Sequence, residues 1–278
     1  MVGTAILFPG QGSQTPEMRA TVANVRPDLL ELAAEVVGCD PFERVEDGTA
    51  FAQPAIFCAS IAGWIDLGRP EGDFMAGHSL GELAALVAAE GLSEHDGLRL
   101  VALRGRLMQE AGERAGAGGM VALLGRDAVA QAPSVALAHG LSVANDNSPQ
   151  QVVLTGAREA LEATAHDAES LGLKAVILPV TGAFHSPMMA SAVPEFVAAL
   201  ADVEVRSPRV TVYSAVTAEP FDDVRARLAE ALTSPVRWRE TLLAMHEAGA
   251  TRFLEVGPGR VLTALTKRTL RGVELVGA

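Results

Sequence analysis

Aromatic side chains are scarce in this chain of 278 residues, which contains two tryptophans, one tyrosine and nine phenylalanines. Hydrophobic residues still make up 49% of the sequence, so we expect a large core built mainly from alanine, valine and leucine. Cysteine is scarcer still, because Cys39 and Cys58 are the only two in the chain and their spacing fits no metal site. This cysteine usage favours a reduced, cytoplasmic protein.

Positive charge is also in short supply, since 22 lysines and arginines face 34 acidic residues and give a formal net charge of −12. That balance argues against a nucleic-acid partner, although it leaves room for a local basic patch that binds a phosphorylated ligand. The first residues lack the basic segment of a signal peptide. No apolar run approaches the roughly 20 residues of a membrane helix. We therefore expect a soluble protein with no membrane partner.

The order of apolar segments indicates an α/β fold. Short buried strands alternate with helices, which predicts a mainly parallel sheet covered on both faces. The first strand is expected at 5–8, before Pro9 and Gly10 stop it. Proline suits the first turn of a helix, so Gln53 and Pro54 predict a helix that begins near Ala55.

The clearest break in composition is the glycine-rich segment 115–119. After it the elements follow the order β-α-β-β-α-β, which is typical of a ferredoxin-like unit. The larger pattern then resumes near residue 187. We predict an α/β hydrolase-like core formed by residues 1–117 and 187–278, with a ferredoxin-like subdomain inserted at 118–186.

A serine motif between a strand and a helix is the most informative stretch of the chain. The apolar run 74–76 ends in Gly77-His78-Ser79-Leu80-Gly81 and passes directly into an apolar helical segment. This is the pattern of a nucleophile elbow, in which a tight turn lifts a serine hydroxyl to the N-terminus of a helix. The helix dipole there stabilises negative charge on a substrate. The alternative is an ordinary turn in which Ser79 caps the helix.

A serine nucleophile needs a positioned base, and the chain offers six histidines. We favour His185, because it follows a strand in a loop at the return from the inserted subdomain; the alternative is a histidine that caps a helix. His78 adjoins the serine, but its side chain is expected to point away. The third group of a triad stays open, since Glu195 falls inside a predicted helix and a backbone carbonyl would serve.

Two arginines interrupt the apolar side of the second helix after the elbow. Arg104 and Arg106 lie within Leu103-Arg104-Gly105-Arg106-Leu107, so one of them should face inward. A buried arginine without a partner is costly. A carboxylate ligand and a structural salt bridge are both open explanations.

Taken together, the motifs resemble those of malonyl-CoA:acyl-carrier-protein transacylases, the acyltransferase family of bacterial fatty acid and polyketide synthesis. The resemblance covers nearly the whole chain, with seven motifs in the family's order. They are FPGQGSQ (8–14), QPA (53–55), GHSLGE (77–82), RGRLMQ (104–109), NDNSPQQVV (145–153), FHSPMM (184–189) and EVGPG (255–259).

The resemblance implies a set of catalytic roles. Ser79 would take the malonyl group as an oxyester, and His185 would act as base and then as acid. The backbone N–H groups of Gln11 and Leu80 would form the oxyanion hole. Arg104 would bind the free malonyl carboxylate with two parallel hydrogen bonds.

The resemblance also implies several binding positions. Phe184 matches the position that disfavours donors with an α-methyl branch, a difference worth only ~1–3 kcal/mol. Asn147 is expected to line the cleft between the subdomains, and Gln53 and His78 to contribute to substrate binding.

One departure from the family pattern concerns the group that orients the catalytic histidine. The family commonly uses the main-chain carbonyl of a glutamine before a Pro-Val-x-Trp segment. Here that segment is 235–238, and the matching position is Ala231. Because the role belongs to a carbonyl, Ala231 can fill it.

The partners implied by the resemblance are a coenzyme A thioester and an acyl carrier protein, with no cofactor and no metal. We expect a monomer. Carrier-protein contacts are expected among basic residues near the cleft, and the candidates are Arg106, Lys174, Lys267 and Arg268. Two other functions stay open: an esterase or thioesterase that uses the same elbow, and a non-catalytic subunit that docks a carrier protein.

Overall fold

The computed structural model of the protein describes residues 3–116 and 118–276. Its strands are β1 (Gly3–Phe8), β2 (Phe74–Gly77), β3 (Gly118–Leu124), β4 (Ser142–Ser148), β5 (Gln151–Ala157), β6 (Lys174–Ile177), β7 (Thr211–Ser214), β8 (Glu219–Pro220), β9 (Ala250–Glu255) and β10 (Glu274–Val276). Its α-helices are α1 (Met18–Val25), α2 (Pro27–Val37), α3 (Thr49–Asp66), α4 (Gly81–Ala88), α5 (Glu94–Ala115), α6 (Ala128–His139), α7 (Arg158–Ala168), α8 (Val193–Ala201), α9 (Val224–Glu230), α10 (Trp238–Glu247) and α11 (Val261–Thr269). Short 3₁₀ helices lie at Pro41–Asp47, Glu169–Leu171 and Pro187–Ala192.

The larger sheet has the order β10-β9-β1-β2-β7-β8 and is parallel except for the last pair. β1 lies near its centre, and its side chains alternate between two hydrophobic clusters. Ile6 and Phe8 pack with residues of α3 and α5, whereas Ala5 and Leu7 pack with residues of α10 and α11. This explains why residues 5–8 of β1 are all apolar: both faces of this part of the strand are buried.

The pairing of β1 with β2 determines where the functional loops lie. Phe8 is in register with Gly77 at the carboxyl end of the sheet. The loops that follow the two strands therefore start side by side, at the edge where parallel sheets place their ligands.

The second sheet confirms the predicted ferredoxin-like unit. It is antiparallel, with the order β4-β5-β3-β6, which is the strand order of that fold. Along β3 the side chains again alternate: Val121 and Leu123 join a cluster with α6 and α7, while Met120 and Ala122 join the main core. One face of this sheet is thus directed toward the larger subdomain.

The segment after α9 joins the two subdomains. Val236 N–H donates to the Ala144 carbonyl over 2.8 Å, and Asp146 N–H donates to the Val236 carbonyl over 2.9 Å. Arg239 also pairs with Asp146, with 2.6 Å between Nη2 and Oδ2. These bonds fix β4 of the small subdomain against the segment that leads into α10.

The main error of the sequence prediction was the start of α3. The helix begins at Thr49 and carries Pro54 in its interior, because the proline removes only one donor from a helix that is otherwise buried. Gln53 therefore lies on a helix rather than before one. The short edge strands β8 and β10 were not predicted.

The division of the chain at 118–186 stays a prediction, which the two separate sheets support. The predicted limits at residues 1, 117 and 278 lie outside the described residues. Across the residues that are described, no helix is both long and apolar enough to cross a membrane.

Candidate active site

The elbow at Ser79 depends on two close backbone approaches. A Cβ on Gly77 would collide with the carbonyl carbon of Gly81, and a Cβ on Gly81 would collide with the carbonyl oxygen of Phe8. Glycine is therefore required on both sides of the serine. Ser79 itself has φ of 55°, the left-handed conformation expected for a strained nucleophile turn.

The Ser79 hydroxyl points into the site and does not cap α4. Its Oγ lies 2.9 Å from Nε2 of His185 and accepts a 3.2 Å hydrogen bond from Nη2 of Arg104. The alternative of an ordinary helix-capping serine is therefore wrong.

His185 is held by its other ring nitrogen. Nδ1 lies 2.8 Å from the carbonyl oxygen of Ala231. Because a carbonyl only accepts, Nδ1 carries the proton, and Nε2 is left free to accept the proton of Ser79. The structure thus places a serine, a histidine and a carbonyl in hydrogen-bonding order.

The environment of His185 keeps its ring uncharged. Burial, together with the positive charge of Arg104 and the neighbouring His78, lowers its pKa to about 3. The ring is therefore a free base at neutral pH, as a group that takes the proton of Ser79 must be.

Arg104 is the buried member of the arginine pair. Only 3% of it is exposed, and its Nη1 donates to Oε1 of Gln53 over 2.7 Å. Burial lowers its pKa to about 10, against the attraction of Glu82, so the guanidinium stays charged at neutral pH. Within residues 3–116 and 118–276 no carboxylate forms a salt bridge with it. A structural salt bridge therefore does not explain its burial, and a carboxylate ligand stays the prediction.

Glu82 is a buried carboxylate that the sequence prediction did not single out. Its Oε1 accepts a 2.7 Å hydrogen bond from the backbone N–H of Ala215, which ties α4 to the segment after β7. Burial raises its pKa to about 7. The sequence gives no sign of this, because the first turn of a helix is an ordinary place for an exposed glutamate.

The loop after β1 packs closely against the turn that carries Ser79. A Cβ on Gly10 would lie only 2.5 Å from the carbonyl oxygen of His78, so the following residue, Gln11, comes next to Ser79. Both Gln11 and Leu80 line the cavity. In the described part of the chain, neither of their backbone N–H groups has a hydrogen-bond acceptor. They are thus free to bind a substrate oxygen.

These groups open into one cavity of about 370 Å³ between the two subdomains. It brings together all but one of the predicted site residues. They are Gln11, Gln53, His78, Ser79, Leu80, Arg104, Asn147, Phe184 and His185. The exception, Ala231, is buried behind His185. A second cavity of about 460 Å³, which includes Val36, Leu103 and Val203 in its lining, contains none of them.

His78, Asn147 and Phe184 line the wall of the cavity. His78 Nε2 lies 2.8 Å from Oδ1 of Asn147, so its ring is turned toward the small subdomain, away from Ser79. Phe184 is 7% exposed, and its ring packs directly over Gly182, where a Cβ would collide with it. The location of Phe184 is therefore fixed by the glycine two residues before it.

Thr49 is a polar residue of the site that the sequence prediction missed. Its hydroxyl donates to Oε1 of Gln11 over 2.8 Å and accepts from Nε2 of Gln53 over 2.9 Å. No motif marks it, and the predicted helix begins only near Ala55.

The candidate carrier-protein contacts differ in their surroundings. Arg106 is engaged with Glu110 and Glu195. Lys174 is exposed on β6. Lys267 and Arg268 are exposed in the last turn of α11, the helix whose Val261, Leu262 and Leu265 line the cavity.

Comparison with known proteins gives consistent matches. The family described as "Acyl transferase domain" matches residues 33–277. The chain is 41% identical to a polyketide biosynthesis protein of Burkholderia thailandensis over 96% of its own length, but it spans only 24% of that protein. It is 36% identical to a malonyl CoA-acyl carrier protein transacylase of Haemophilus influenzae, covering 98% of this chain and 94% of the relative. A crystal structure of an acyl carrier protein S-malonyltransferase from Vibrio cholerae superimposes with a TM-score of 0.89 and 38% identity, covering 99% and 96% of the two chains.

Proposed function

The chain belongs to the acyl transferase domain family, and from this we propose that it moves a malonyl group from malonyl-CoA to the phosphopantetheine thiol of an acyl carrier protein. The observation that carries the proposal is the buried, charged Arg104, which donates to the hydroxyl of Ser79 inside the cavity. If a malonyl group were attached to that serine, its free carboxylate, one methylene beyond the ester carbonyl, would lie within reach of the guanidinium. A neutral acyl group would leave this charge without a partner.

The first half of the reaction acylates the serine. As the proton of Ser79 moves to Nε2 of His185, Oγ attacks the thioester carbonyl of malonyl-CoA. The resulting oxyanion is bound by the backbone N–H groups of Gln11 and Leu80. Collapse of this intermediate breaks the carbon–sulfur bond, and the proton on Nε2 passes to the departing thiolate of coenzyme A.

The second half reverses these steps with a different thiol. His185 takes the proton of the phosphopantetheine thiol, and the sulfur attacks the malonyl-serine ester. The oxyanion hole binds the second intermediate in the same way, and the proton returns to Ser79 as the ester bond breaks. Throughout both halves Arg104 holds the malonyl carboxylate, so the acyl group keeps one orientation.

A cationic helix next to the cavity supports an acidic protein as acceptor. The chain carries a net charge of −12, which repels an acidic partner at long range. The segment 256–273, however, contains four basic residues and no acidic one. Its helix α11 lines the cavity through Val261, Leu262 and Leu265. Lys267 and Arg268 on that helix are therefore the better placed of the predicted carrier contacts.

Cofactor use, oligomeric state and location in the cell are proposed from the sequence and from the reaction described above. The reaction as written uses serine, histidine, arginine and backbone groups, so the expectation of no cofactor and no metal stays a prediction. We likewise propose that the protein acts in the cytoplasm, which its cysteine usage favours, and the expectation of a monomer stays a prediction.

The fate of the acyl-enzyme, transfer to a carrier protein or hydrolysis by water, distinguishes this proposal from a thioesterase and from a docking subunit. With malonyl-CoA and a phosphopantetheinylated carrier protein, we expect malonyl-carrier to form much faster than free malonate, because the cleft must protect the ester until a thiol arrives. The measurement is a time course of malonyl-carrier and malonate by mass spectrometry, with apo carrier protein as the control acceptor. Malonate formed at the same rate with either acceptor would indicate a thioesterase. Carrier binding without any malonyl-enzyme would indicate a docking subunit.

A further inference from the structure

Thr49 lies where two parts of the site meet. It is the first residue of α3 and only 4% of it is exposed. Its hydroxyl donates to the Gln11 side chain and accepts from the Gln53 side chain. One oxygen atom thus contacts both the loop that supplies an oxyanion-hole donor and the residue that holds the arginine.

The donors and acceptors of these hydrogen bonds determine how the Gln53 amide and the Thr49 hydroxyl are oriented. An arginine only donates, so Gln53 must turn its amide oxygen toward Arg104, as the 2.7 Å bond shows. The amide nitrogen then needs an acceptor on its other side, and Thr49 supplies it over 2.9 Å. Because the threonine proton is directed at Gln11, its lone pairs remain available. The chain of bonds therefore runs from Gln11 through Thr49 and Gln53 to Arg104.

The backbone of Thr49 is fixed by the helix that carries the arginine. A Cβ on Gly105 would lie 2.6 Å from the carbonyl oxygen of Thr49, so α5 touches the start of α3 with no side chain between them. Gln109 of α5 also accepts from the backbone N–H of Ala50 over 3.1 Å. The start of α3, which carries Thr49, is consequently packed directly against the helix that carries Arg104.

We propose that Thr49 is a positioning residue: its hydroxyl fixes the oxyanion-hole loop and the carboxylate-binding Arg104 relative to one another. The inference rests on the proposed malonyl transfer. It assigns Thr49 no contact with substrate. Its loss would displace the oxyanion-hole loop for every acyl donor, and would weaken the ion pair with Arg104 only for donors that carry a carboxylate.

The test uses three variants of the full chain. Thr49→Val keeps the shape of the side chain and removes both hydrogen bonds, whereas Thr49→Ser keeps the hydroxyl. Thr164→Val is the matched control, because Thr164 is a fully buried threonine of α7 whose hydroxyl has no partner among the described residues. For each variant, kcat/KM for acyl-enzyme formation is measured with malonyl-CoA and with acetyl-CoA, together with the melting temperature.

In Thr49→Val, kcat/KM for malonyl-CoA should fall by about 100-fold, the scale of a 1 Å misplacement near reacting atoms. For acetyl-CoA it should fall by only about 10-fold, since a loosened oxyanion-hole donor costs less than a deleted one. Thr49→Ser and Thr164→Val should stay within about 3-fold of wild type for both donors, as neither loses a hydrogen bond of the site. If Thr49→Val does not fold, Thr49→Ala removes the same hydroxyl without adding bulk and should give the same pattern.

Three results would overturn the inference: unchanged kinetics in Thr49→Val, equal losses for the two donors, or a Thr49→Ser variant as impaired as Thr49→Val. A wild-type enzyme that forms no malonyl-enzyme would instead refute the proposed function. The same panel therefore distinguishes the two failures.

Discussion

Arg104→Ala should reduce kcat/KM for malonyl-CoA by about 100-fold or more, while kcat/KM for acetyl-CoA changes far less. In the proposed complex, the variant removes two charge-assisted hydrogen bonds to the malonyl carboxylate, each worth about 1.5–3 kcal/mol. It also leaves that carboxylate in a buried cavity with no counter-charge. With acetyl-CoA, which has no carboxylate, the variant loses only the hydrogen bonds of Arg104 to Ser79 and to Gln53. The measurement is the rate of acyl-enzyme formation from each donor.

Arg106→Ala is the matched control for this prediction. Arg106 lies two residues away on the same helix, but it is 48% exposed and pairs with Glu110 and Glu195 at the surface. Surface ion pairs contribute about 0–1 kcal/mol, so acyl-enzyme formation should be nearly unchanged. Equal losses for both donors in Arg104→Ala would contradict the carboxylate-binding role and would make the arginine a structural residue.

His185→Ala should lower the rate of acyl-enzyme formation by about 100- to 10,000-fold, the usual contribution of a general base. Ser79 would then lack an acceptor for its proton, although the oxyanion hole would remain. His166→Ala, at an exposed position of α7, is the control and should behave as wild type. A His185→Ala variant that acylates at the wild-type rate would exclude this histidine as the base.

The low pKa of His185 predicts the pH dependence of the same step. An ordinary histidine is half protonated near pH 6.5 and would stop acting as a base below it. Because burial lowers the pKa of His185 to about 3, the rate of acylation should stay nearly constant as the pH falls from 7 to about 5.

Protein stability is a poorer readout of this histidine than the acylation rate. Between pH 6.5 and 3 the unfolded chain binds a proton that buried His185 does not, so its contribution to stability is lost as the pH falls through that window. Glu82, with its pKa raised to about 7, acts in the opposite sense. In the folded protein Glu82 stays protonated above pH 4.5, where the unfolded chain releases this proton. The contribution of Glu82 to stability is therefore lost as the pH rises from 4.5 to 7. The two pH ranges overlap, and in the overlap a fall in pH lowers the stability contributed by His185 but raises that contributed by Glu82.

The sequence could predict those features that depend on local sterics and periodicity. The glycines at 77 and 81 signal a turn without room for a Cβ, and the structure shows the two collisions that they avoid. The alternation of strands and helices predicted the ferredoxin-like unit, because each of its elements has a clear apolar period.

Features that depend on long-range packing could not be derived from the residues alone. The carbonyl of Ala231 lies 46 positions from His185, and any residue type offers a carbonyl; only the resemblance to a known family pointed to it. Thr49 is hidden for a related reason. Its role depends on α3 starting before Pro54, which local rules disfavour, and on α5 packing onto it at Gly105.

The central claim is that a malonyl group is carried on Ser79, and intact-protein mass spectrometry tests it most directly. Wild-type protein and Ser79→Ala are each mixed with malonyl-CoA, quenched and weighed, and the modified peptide is then sequenced. The account predicts a malonyl adduct on the wild type, located at Ser79, and no adduct on Ser79→Ala. A malonyl adduct of equal abundance on Ser79→Ala, or a wild-type protein that never acquires one, would contradict it.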